Sequence, residues 1–161
     1  MCFKAKDKWE QFLATTAYLN VVKELDTVEK LSDYTRWFTF TADVEDTWKT
    51  PTELLNDKFG DCEDFARWYV DILVRVIGIT EARFVVYNGL NLRKEFTGHG
   101  VCVFPYQGKL AIFSNNVPPI LGFKDFIEAG HYFYPNGLKY MEIRDWTGKI
   151  TYRKRKYIGT Y

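Results

Sequence analysis

The chain has 161 residues, 47% hydrophobic and 27% charged, a length and balance that fit one globular core and exclude a disordered chain. Its 22 Lys and Arg against 21 Asp and Glu leave a formal charge of +1, so no overall field draws it to nucleic acid or to an anionic membrane. The 3 cysteines, Cys2, Cys62 and Cys102, cannot close a disulfide framework of the kind that staples small secreted domains.

Lys4, Lys6, Asp7, Lys8 and Glu10 interrupt the N-terminal segment, which therefore does not read as a signal peptide. From Asp7 to Leu25, Trp9, Phe12, Leu13, Leu19, Val22 and Leu25 recur at helical spacing and predict a first helix. Asp26 with Glu29 opens a second, whose apolar side carries Leu31, Tyr34 and Phe38. Thr50-Pro51-Thr52-Glu53 is a third start: a cap, a proline at the first helical position and an acid completing a capping box. Phe59-Gly60 closes that segment, with Gly60 able to take a positive φ. Asp61 then caps a fourth helix that begins at Cys62, with Asp64 at its third position. Phe65, Tyr69, Ile72 and Val76 form its apolar stripe, widened by Ala66 and Leu73, and Gly78 ends it.

Beyond Gly78 the period changes to two. Ala82–Tyr87 reads as a strand followed by an Asn88-Gly89 turn. His99–Phe104 and Leu110–Ser114 flank a hairpin loop over 105–109, and Leu138–Arg144 with Ile150–Tyr157 flank a second hairpin at Trp146-Thr147-Gly148. The longest uncharged run, Leu110 to Phe123, holds Ser114, Asn115, Asn116, Pro118 and Pro119 and cannot be a membrane span. The expectation is a single α+β domain over 1–161, N-terminal helices packed on an antiparallel sheet, cytoplasmic and without a membrane or nucleic-acid partner.

Cys62, at the first turn of a buried helix, meets amides and a dipole that favour a thiolate. The neighbouring carboxylates Asp61, Glu63 and Asp64 would raise its pKa and so need another role or a counter-ion. His99, between Gly98 and Gly100, has room around its imidazole; a Cys–His pair makes a nucleophile with its base, and a third group orients the ring. That group belongs to the neighbouring strand. If Phe104 pairs with Lys109, His99 lies opposite Ser114 and shares a face with Asn116; a register shifted by one brings Asn115 instead. Cys102 alternates away from His99 into the core, Cys2 is an incidental thiol, and His131 belongs to an aromatic cluster with Tyr132, Phe133 and Tyr134. Arg153-Lys154-Arg155-Lys156 reads as protection of an edge strand.

Trp48-Lys49-Thr50-Pro51-Thr52-Glu53-Leu54-Leu55, followed by Gly60-Asp61-Cys62-Glu63-Asp64-Phe65-Ala66, resembles the bacterial transglutaminase-like cysteine proteinases of the transglutaminase–papain-like superfamily. In that family W-x-T-P-x-E precedes G-D-C-E-D-Y-A, and a histidine strand and an L-D-N-type strand come later. Here the corresponding stretches are His99-Gly100-Val101-Cys102-Val103 and Phe113-Ser114-Asn115-Asn116. The resemblance, over about residues 44 to 116, implies a papain/transglutaminase-like fold and acyl transfer by Cys62 as nucleophile, His99 as base and then acid, and Asn115 in place of the usual aspartate. The Cys62 backbone N–H would join the oxyanion hole. The substrate implied is a protein or peptide. Hydrolysis as a peptidase or amidase leads, with glutamine-directed transamidation and a non-catalytic binding module as alternatives. No cofactor is required, but some exported members are calcium-dependent proteases of bacterial surface adhesins, and Asp61 and Glu63 match their calcium-binding positions.

Overall fold

The computed structural model describes residues 12, 14–42 and 47–155. Its centre is a six-stranded antiparallel sheet in the order β6-β5-β4-β3-β7-β8, formed by β3 (Arg83–Leu90), β4 (Phe96–Tyr106), β5 (Lys109–Phe113), β6 (Ile120–Phe123), β7 (Leu138–Arg144) and β8 (Ile150–Arg155). Four helices precede it: α1 (Thr16–Val22), α2 (Val28–Thr35), α3 (Pro51–Asp57) and α4 (Cys62–Ile72). A short parallel pair, β1 (Thr39–Phe40) with β2 (Phe59–Gly60), ties the segment after α2 to the entrance of α4. This is the expected α+β arrangement of helices on an antiparallel sheet.

Alternation along the strands divides the apolar residues between two faces. Phe84, Val86, Cys102, Phe104, Ala111 and Phe113 bury against residues of α1 to α4, with Trp68 and Tyr69 at 0% exposure. Val85, Tyr87, Val101, Val103, Ile112, Met141 and Ile143 form a second core on the opposite face, covered in part by α5 (Phe126–Phe133). Neither β6 nor α5 has a counterpart in the expected elements. The prolines and asparagines after Ser114 hide a four-residue strand, and the eight residues of α5 lie in a stretch rich in aromatics.

The capping boxes fall where the residues put them. Thr50 accepts from the Glu53 amide and the Glu53 side chain returns to the Thr50 amide; Asp61 and Asp64 do the same at the start of α4. Elsewhere local signals give way to packing. Helix α1 begins only at Thr16, because the Thr15 hydroxyl caps it, and the earlier residues of the expected helix lie mostly outside the described residues. Thr27, not Asp26, caps α2, while Asp26 pairs with Lys30 at 2.7 Å. The positive φ between α3 and β2 belongs to Lys58 (62°), not Gly60. Gly60 answers to space instead: a Cβ there would lie 2.7 Å from Asp64 Oδ2 and 2.9 Å from Leu54 Cδ1. Asn88-Gly89 is no turn, since β3 runs through it to Leu90 and a Cβ at Gly89 would strike the Gly137 carbonyl.

The hairpin between β4 and β5 also differs from the expectation. Its turn is the pair Gln107-Gly108, and the register runs from Tyr106↔Lys109 to Cys102↔Phe113, so Phe104 faces Ala111 rather than Lys109. The displacement is two residues. Since side chains alternate with period two, the faces are unchanged by it.

Candidate active site

Helix α4 presents its N-terminus to a notch in the sheet. Strand β5 stops at Phe113, so that β4 continues from Val101 back to Phe96 paired with β3. The Gly100 N–H donates to Cys62 Sγ at 3.5 Å, seating the thiol against the residue that follows His99. Glycine eases this approach: a Cβ on Gly100 would sit 3.3 Å from Glu63 Cγ and 3.4 Å from Glu63 Cα, tight enough that the Glu63 side chain would have to shift by a few tenths of an ångström. Two glycines, Gly60 and Gly100, thus let the start of α4 settle between its own cap and the sheet.

The carboxylates around Cys62 each have a partner. Asp61 Oδ1 accepts from the amides of Glu63 (3.2 Å) and Asp64 (3.4 Å), which makes it the helix cap. Buried Glu63 accepts the Cys62 S–H at 3.0 Å. Asp64 accepts from the amides of Lys49 (2.6 Å) and Asp61 (3.0 Å), fastening the Trp48-Lys49 segment to the nucleophile helix. Burial, reinforced by the Asp61 charge, pushes the Asp64 carboxyl up to about 7. Trp48 packs on Phe84 at 5.3 Å between ring centroids, and the Arg144 guanidinium lies over the Trp48 ring, 5.5 Å from its centroid.

His99 belongs to the opposite face of β4, as its spacing from Val101 and Val103 requires. Phe133 of α5 meets it edge to face at 4.8 Å, and burial pushes the imidazole down to about 4, so the ring is neutral near pH 7. Its Nε2 lies 2.8 Å from Ser114 Oγ. The hydrogen-bonded neighbour of the ring is therefore Ser114. Asn115 Oδ1 is buried without a hydrogen bond among the described residues, while the Asn115 backbone oxygen accepts from Tyr69 OH at 2.6 Å. Asn116 turns to the Phe38 carbonyl at 2.8 Å. The sequence weighed all three residues without fixing the face; a two-residue turn at Gln107-Gly108 is the signal that fixes it. The contact of Phe133 with His99 had no signal at all, because α5 was not anticipated.

Cys102 is buried in the helix-side core, and burial raises its thiol pKa well above the ordinary range. His131 is half-buried on α5. The basic run lies on β8, an edge strand, where Arg153 pairs with Glu142 at 2.8 Å; Lys156 lies outside the described residues, as does Cys2. Among the described residues no helix is long and apolar enough to cross a membrane.

Calcium takes roughly six to eight oxygen ligands. Among the described residues no three His, Cys, Asp or Glu side chains gather into a metal-holding group. Asp61 is a helix cap and Glu63 an acceptor for the thiol. The donor set as arranged does not fit a calcium ion.

No protein-family model and no curated protein matches this sequence. Solved structures do. The calcium-bound form of Legionella pneumophila LapG is 28% identical, over 60% of this chain and 60% of that chain, with a TM-score of 0.46. The EGTA-treated form is 26% identical, over 62% of this chain and 59% of that chain, with a TM-score of 0.47. This chain spans about three fifths of the length of the solved chains to which it is similar.

Proposed function

We propose that this chain is a cysteine hydrolase, a peptidase or amidase acting on a protein or peptide, with Cys62 as nucleophile and His99 as its base. The observation that carries this reading is the Gly100 N–H donated to Cys62 Sγ, which brings the thiol at the mouth of α4 to the backbone beside His99. The G-D-C-E-D segment and its upstream tryptophan support it independently.

The chemistry follows from the groups at hand. With Nε2 engaged by Ser114, Nδ1 is the ring nitrogen left to receive the thiol proton. A neutral imidazole has a lone pair for that purpose. At rest the S–H is given to Glu63; attack requires it to pass to His99. Sulfur then bonds to the substrate carbonyl carbon. The tetrahedral oxyanion forms by the start of α4, beside the Cys62 backbone N–H, where the positive end of the helix dipole favours negative charge. His99 returns the proton to the leaving amine, and a water activated by the same imidazole hydrolyses the thioester.

Replacing Cys62 by Ala tests this with p-nitrophenyl acetate as a generic acyl donor and iodoacetamide as a thiol probe. Turnover and labelling at position 62 are both expected to vanish, whereas wild-type turnover in Cys62→Ala overturns the reading. A labelled amine offered with a glutamine peptide separates transamidation from hydrolysis, because only a transferase incorporates the amine. Calcium enters this reading only through Asp61 and Glu63; added calcium is expected to leave the melting temperature of the full chain unchanged, and a saturable rise would restore a metal role.

A further inference from the structure

We infer that Ser114 is the positioning residue of the imidazole, a hydroxyl in the role that the resemblance gives to an aspartate in the family and to Asn115 in this chain. The inference deepens the proposed function and rests on it for its catalytic consequence, though not for its geometry. Ser114 Oγ lies 2.8 Å from His99 Nε2, and Ser114 is 7% exposed. The β4–β5 register ends at Cys102↔Phe113; carried one residue further it sets Ser114 opposite Val101, two residues from His99 on the same face.

What holds Ser114 is the nucleophile's own helix. Phe113 stacks on Tyr69 of α4 with centroids 4.1 Å apart and planes 4° from parallel. Tyr69 OH donates to the Asn115 carbonyl at 2.6 Å. The residues on both sides of Ser114 are thus fastened by one tyrosine, two turns along the helix that begins at Cys62. Asn115 serves the backbone: its φ of 52° lies in the left-handed region that asparagine tolerates, and it turns the chain away just after Ser114. Thiol, imidazole and hydroxyl are referred to one rigid element rather than to three independent loops.

A hydroxyl differs from a carboxylate in one chemical respect. It both donates and accepts. When Ser114 accepts from Nε2–H, Nδ1 keeps its lone pair for the thiol; when Ser114 donates to Nε2, the proton sits on Nδ1 and the base is blocked. A carboxylate would only accept, and would hold the first tautomer.

The test uses the full chain with ¹⁵N-labelled histidine, the His99 signals being assigned by comparison with His99→Gln. In the wild type the Nε2–H form is expected to dominate. Ser114→Ala is expected to mix the tautomers and to lower kcat for p-nitrophenyl acetate about tenfold or more with KM little changed. Ser114→Thr should restore both readouts, and Ser114→Asp should fix the tautomer and raise kcat above wild type. Identical His99 spectra in the wild type and Ser114→Ala overturn the inference, as does a Thr variant that behaves like Ala while folded. Should Cys62→Ala turn over the ester as fast as the wild type, the hydrolase reading fails, and the ¹⁵N spectra still decide what Ser114 does to the ring.

Discussion

On the helix-covered face of the sheet, Phe65, Trp68 and Tyr69 of α4 pack with Phe84, Phe104 and Phe113 at 0% exposure, and the thiol stands at the end of that core. On the other face, α5 brings Phe133, only half-buried, against His99. The first face supplies rigidity and the second supplies the environment of the base. A site shared between them inherits both: a nucleophile fixed by deep packing, and an imidazole whose state depends on a thinner cover.

The largest effect expected from breaking that contrast is on stability. Trp68 is fully buried and its indole N–H donates to Thr35 Oγ at 2.9 Å. Trp68→Ala is expected to cost about 3–5 kcal/mol in urea unfolding, a large part of the total stability of an ordinary domain. Phe133→Ala, from the thinner cover, should cost only about 1–2 kcal/mol, while water admitted to the ring restores part of the ordinary basicity of His99. Equal losses in the two variants would remove the distinction between the faces.

That contrast also governs what was legible in the sequence. The caps Thr50, Asp61 and their acidic partners are local, made within four residues, so the starts of α3 and α4 could be read from the residues themselves. The placement of Cys62 at a helix mouth followed from them. The surroundings of His99 are not local. They depend on a hairpin register, on a helix that breaks a run of strands, and on which of Ser114, Asn115 and Asn116 shares a face with the ring. Periodicity carries no information on pairing partners, and so it left Ser114 as one of three. Gly60 differs from its expected role for a related reason: a close approach between packed side chains is invisible to a reading that treats glycine as a source of backbone freedom.

A smaller and sharper effect is the dependence of stability on pH. The His99 imidazole is held down to about 4 against an ordinary 6.5. The unfolded chain therefore binds more protons between those values, and stability falls as the solution is acidified across that window. Asp64, near the thiol, does the reverse. Its carboxyl is raised from 3.8 to about 7, the folded chain keeps the extra proton, and stability falls as pH rises from about 4 to about 7. The two trends oppose each other, so the wild type is expected to be nearly flat. His99→Gln should uncover stability that declines with rising pH, and Asp64→Asn stability that climbs with it. Unfolding free energies across this range decide the matter, and parallel profiles for the two variants would show that neither group titrates as the burial of its side chain requires.

The smallest expected effect concerns the turn on which the site's geometry depends. Gln107 and Gly108 both have positive φ, 53° and 80°, the signature of the two-residue turn whose twist matches that of the flanking strands. Glutamine is an uncommon choice at the first position, and asparagine tolerates it better. Gln107→Asn is accordingly expected to stabilise the fold by a few tenths of a kcal/mol, and Gly108→Ala to destabilise it by about 1 kcal/mol. Neither side chain touches the site. If the hairpin register is what puts Ser114 on the face of His99, the Asn variant must leave the His99 tautomer unchanged while raising the urea midpoint. A loosened turn that let the strands slip by one residue would exchange Ser114 for Asn115 beside the ring, and the imidazole signal would report the exchange directly.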